Sequence, residues 1–78
     1  LSGHQGNLEA LPKEKRLQSL ARAEVSRLEG LIKKNLASQS TLDTARQALA
    51  RQAIAVSRIE EKVRTHESRM RELQARLL

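Results

Sequence analysis

Between Leu42 and Leu77 an apolar residue returns every seventh position: Leu42, Leu49, Val56, Val63, Met70 and Leu77. The companion positions three residues later are Ala45, Gln52, Ile59, His66 and Leu73, apolar at three of five. A repeat of this kind draws one stripe along a helix and winds it around a partner as a left-handed coiled coil. Roughly 37 residues rising ~1.5 Å each predict a rod of about 55 Å. Its outer faces hold Glu60/Arg64, Glu67/Arg71 and Glu72/Arg76, each with the acid N-terminal, the better order for pairs four apart.

The first half carries a looser version of the pattern. From about Lys13 to Lys34, Leu17, Leu20, Ala21, Val25, Leu28, Leu31 and Ile32 recur at helical spacing with a broad apolar face. Ala21, Val25, Leu28 and Ile32 form the predicted seam, with Glu24 and Asn35 on or near it. Gly30 lies inside this helix, where it costs roughly 1 kcal/mol relative to alanine. Residues 1–12 gather Gly3, Gly6, Asn7 and Pro12, and read as a loop or frayed lead-in. Pro12 suits an early helical position, where its missing N–H is no loss.

Asn35 is the predicted helix stop, because asparagine tolerates the left-handed conformation that ends helices. Ser38 or Ser40 can cap the next helix, and Ser40-Thr41-Leu42-Asp43 has the form of a capping box. A connection this short joins antiparallel neighbours. The expected fold is therefore all-α, an antiparallel two-helix coiled-coil hairpin. Helix one is expected over about 13–34, the tip over 35–40 and helix two over 41–77. The second helix outruns the first by about fifteen residues in this reading, so Met70 to Leu77 must pack on something else.

Composition agrees with a rod rather than a globule. The 78 residues contain no Phe, Trp or Tyr, and so small a globular core without aromatics is hard to stabilise. There is no cysteine, hence no disulfide or thiol chemistry. His4 and His66 lack metal-ligand spacing. No apolar run approaches the length of a membrane span, and no signal peptide is visible. A first residue that is Leu rather than Met reads as a segment of a longer protein.

The net charge of +6 permits contact with acidic partners, but the charges are interspersed as on solvated helix faces. The longest basic run is Lys33-Lys34, so nucleic acid is not an expected partner. No triad, phosphate loop or metal cluster is written in the chain, and neither catalysis nor a cofactor is expected. Gln52 and His66 read as polar seam residues, of the sort that fix register.

One small constellation remains. Arg27, Leu31 and Ser38 stand as Arg-x3-Leu-x6-Ser across the predicted tip. Arg27 and Leu31, four apart, share a helix face at the edge of the seam. This stretch, with Leu42, Asp43 and Ala45 following, resembles the hairpin tip of the periplasmic membrane fusion proteins. These are the adaptors of tripartite efflux pumps and type I secretion systems. Asn35 stands where many members have Gly, and Thr41 where an acid is frequent. The likeness is specific over about twenty residues and generic beyond them.

The resemblance implies an adaptor hairpin whose Arg27, Leu31 and Ser38 dock on a TolC-type outer-membrane channel. It further implies a periplasmic parent anchored to the inner membrane, an inner-membrane transporter as second partner, and a trimeric or hexameric assembly. The alternative from the residues alone is a structural coiled-coil spacer or oligomerisation rod.

Overall fold

The computed structural model describes residues 2–77 and contains two helices, α1 (Ser2–Lys33) and α2 (Gln39–Leu77). They lie antiparallel as one hairpin measuring 65 × 16 × 14 Å. The expected all-α hairpin is the fold.

Both helices carry an unbroken heptad. On α1 it runs His4, Asn7, Leu11, Glu14, Gln18, Ala21, Val25, Leu28 and Ile32, in steps of three and four, and each of these residues is buried or half-buried. On α2 it runs from Leu42 to His66 in the same rhythm. Steps of three and four average 3.5 residues, which keeps one stripe facing the partner along a supercoil. The buried core is Val25, Leu28, Leu42, Val56 and Val63. Its densest part lies near the turn, where Leu31, Ile32, Ala37, Ala45 and Leu49 pack around Val25, Leu28 and Leu42.

The lead-in departs from the sequence expectation. Residues 2–12 are helical, with Gly3, Gly6 and Pro12 inside α1 rather than before it. Pro12 has no N–H to donate back to the Leu8 carbonyl, and helix interiors lose stability at both residue types. What compensates is the continued seam, mostly polar on α1 and mixed on α2, where Val63 is buried. Gln52 donates its Nε2–H to the Glu14 backbone carbonyl (3.0 Å) and also to the Glu14 carboxylate. His4 stacks on His66, with ring centroids 3.6 Å apart and planes inclined by 14°. A search for apolar periodicity passes over a heptad written in His, Asn, Glu and Gln.

Two further expectations shift with it. Leu17 and Leu20, placed in the apolar face, are 49% and 61% exposed. The seam passes beside them through Gln18 and Ala21. The overhang of α2 shortens to seven residues, the difference between helices of 39 and 32. Leu73 and Leu77 in that overhang, and Met70 just before it, are exposed.

Two ion pairs tie α1 to α2: Lys15 with Glu60 (3.6 Å) and Arg46 with Glu29 (3.4 Å). The pairing expected between Glu60 and Arg64 is replaced, because Glu60 turns to Lys15 and Arg64 takes Glu61 at 2.8 Å. Glu72–Arg76 forms as expected, at 3.8 Å. Apart from the half-buried Glu60 these groups are exposed, and such pairs contribute little individually.

Candidate functional site

The turn is built by two complementary caps. At the end of α1, Asn35 adopts φ 59°, the left-handed conformation. The Leu36 N–H donates to the Leu31 carbonyl (2.9 Å) and the Asn35 N–H to the Ile32 carbonyl (2.9 Å). This six-to-one and five-to-two pattern is a Schellman motif, which satisfies carbonyls that the helix end would strand. At the start of α2, the Thr41 N–H donates to Ser38 Oγ (3.1 Å), so Ser38 is the N-cap. Ser38, not Ser40, caps the helix, and α2 starts at Gln39, two residues before the expected boundary. Ser40 sits within the first turn, where its carbonyl accepts the Thr44 hydroxyl (3.1 Å). Thr41 stands where a capping box has its acid, and its hydroxyl instead shares a hydrogen bond with the Ser38 hydroxyl at 2.7 Å.

The three residues of the Arg-x3-Leu-x6-Ser pattern fall at this end of the rod. Arg27 and Leu31 lie in the last two turns of α1, one turn apart, and Ser38 opens α2. Their chemical situations differ. Arg27 is exposed, and its guanidinium grips Glu24 two-handed, Nε to Oε2 at 3.0 Å and Nη2 to Oε1 at 2.5 Å. Hydrogen bonding to Arg27 holds the Glu24 carboxyl below its usual range, and the same bond raises the guanidinium further. Leu31 is half-buried against Val25, Leu28 and Leu42. It belongs partly to the core and partly to the edge. Ser38 is exposed, with its oxygen committed to Thr41.

Leu36 is the residue that sequence reasoning missed. It follows the left-handed Asn35 and is 68% exposed, second only to the terminal Leu77 among the large exposed apolar residues of the described chain. Periodicity cannot flag a residue in a turn. The signal available was local: an apolar residue directly after a helix stop projects from the end of the element instead of into a seam.

Among the described residues no three His, Cys, Asp or Glu side chains gather as a metal site. No helix among the described residues is long and apolar enough to cross a membrane. What the tip can do chemically is bind: it offers an exposed leucine, a half-exposed leucine and a guanidinium with free N–H groups. No protein family, curated protein or solved structure was found to match this chain.

Proposed function

We propose that this hairpin docks by its tip on a TolC-type outer-membrane channel, as the hairpin of a periplasmic adaptor in an efflux or secretion assembly. The observation that carries the reading is the crown of the rod. Leu36 projects from the turn, and Arg27, Leu31 and Ser38 lie in the helix ends on either side of it. Exposed apolar groups beside a guanidinium make a compact contact, with burial from leucine and directional donors from arginine. A patch this small binds weakly by itself, and several copies presented together bind by avidity.

A structural spacer is the second reading, and it too has an observation in its favour. Each pattern residue already has an internal occupation: Arg27 holds Glu24, Leu31 packs on the core and Ser38 caps α2.

A photoreactive amino acid at Leu36, tested in intact cells, separates the two. Docking predicts a crosslink to an outer-membrane channel, lost in Arg27→Ala and Leu31→Ser with helicity unchanged. Crosslinks confined to the hairpin or its own copies would leave the spacer reading. Ser38→Asn, which keeps a good N-cap, then asks whether the serine serves the partner or only the helix.

A further inference from the structure

The far end of the hairpin holds two imidazoles face to face. His4 from the first turns of α1 stacks on His66 of α2 at 3.6 Å between centroids. His4 Nδ1 is buried and meets no hydrogen-bond partner among the described residues. The pair opens into a shallow cleft whose other walls are Asn7 of α1 and Glu61, Lys62, Thr65 and Arg69 of α2. We propose that this histidine pair is a pH-sensitive latch that holds residues 3–11 of α1 on α2 at neutral pH and releases them on acidification.

The argument rests on where the rings are and on what else holds that segment. Stacking at this distance is compatible with neutral rings, whereas two imidazolium ions so placed repel each other strongly. The surroundings decide whether a second proton is tolerated. On α2, Lys62 and Arg69 add positive charge at the cleft, and Glu61 there opposes it. Desolvation lowers the affinity of His66 for a proton, and His4 and Arg69 lower it further, with Glu67 as the counterweight. His66 therefore binds a proton more readily when the end is open. A histidine with a lowered folded pKa contributes stability that is fully present above the unfolded value of 6.5 and is lost as pH falls through the folded value.

The segment is built to yield. Gly3, Gly6 and Pro12 are poor helix formers, and alanine at either glycine would meet open space, so packing does not require them. Between the histidine pair and the Gln52–Glu14 bonds, α1 supplies Leu11 as its one seam leucine, and α2 supplies Val56, Ile59 and Val63. Opening here need not disturb the apolar cluster at the turn, which lies at the other end of the 65 Å rod.

Amide hydrogen exchange against pH tests the latch, with rates corrected for the intrinsic effect of pH and residues 25–45 as internal reference. Protection of residues 3–11 relative to that reference is expected to fall between pH 7.5 and pH 5. The double variant His4→Gln/His66→Gln is expected to show no such pH dependence, whatever its absolute protection. An unchanged ratio in the native chain, or the same pH dependence in the double variant, would overturn the proposal. The first outcome requires no variant to fold.

Discussion

The two ends of this hairpin keep the same seam geometry with different chemistry. Near the turn, Val25, Leu28 and Leu42 are buried with five partly buried apolar neighbours around them. Toward the open end the seam is mixed: α1 presents His4, Asn7, Glu14 and Gln18 with Leu11 among them, and α2 alternates Gln52 and His66 with Val56, Ile59 and Val63. Burial of leucine and valine drives association without regard to exact partners. Hydrogen-bonded polar groups add little net stability, but they penalise any register that leaves them unpaired. The turn end therefore has the denser apolar contact, and the polar groups of the open end tell the helices how to align.

Breaking the turn end is expected to have the largest effect. Leu42→Ala should cost about 3 to 4 kcal/mol, since a large-to-small change in a buried cluster loses transfer energy and leaves a cavity. Urea unfolding followed by circular dichroism measures it. Leu73→Ala, in the exposed overhang, should cost well under half as much. Equal losses at the two sites would erase the distinction between a stabilising end and an aligning one.

Strengthening the polar end is the complementary test. Pro12→Ala restores a backbone N–H toward the Leu8 carbonyl inside α1, and should stabilise that segment by about 2 to 3 kcal/mol. The gain should appear mainly as slower amide exchange across residues 3–11. A uniform gain along the whole hairpin would mean that the two ends open as one unit.

The smallest effect sharpens the account of the turn. Asn35→Ala should cost about 1 kcal/mol, because alanine resists the positive φ found there. Asn35→Gly should be neutral or slightly stabilising. Thermal unfolding of the pair checks both signs, and a loss with glycine would show that the asparagine side chain contributes more than its tolerance of that backbone.

The heptad of α2, the stop at Asn35 and the short connection were legible in the sequence because each is a local rule with a single physical cause. Apolar residues seven apart must face one way on a helix, and a residue tolerant of positive φ ends one. The choice between Ser38 and Ser40 was not legible, since both have a hydroxyl at a workable spacing. It was decided by where the first N–H groups of α2 fall. The candidate site was half legible: the spacing of Arg27, Leu31 and Ser38 is in the chain, whereas their commitments to Glu24, the core and Thr41 exist only once the turn is folded. Leu36 entered only with its exposure.

By itself, then, the sequence determined a helical hairpin, its turn and its apolar half, because hydrophobic burial and capping act on neighbours in the chain. Only the tertiary structure decided that residues 2–12 belong to α1. Glycine and proline argue locally against a helix there, and the groups that overrule them, Gln52 and His66, are 38 residues from Glu14 and 62 from His4 (66 − 4) along the chain. A polar seam becomes a seam only when its partner is opposite.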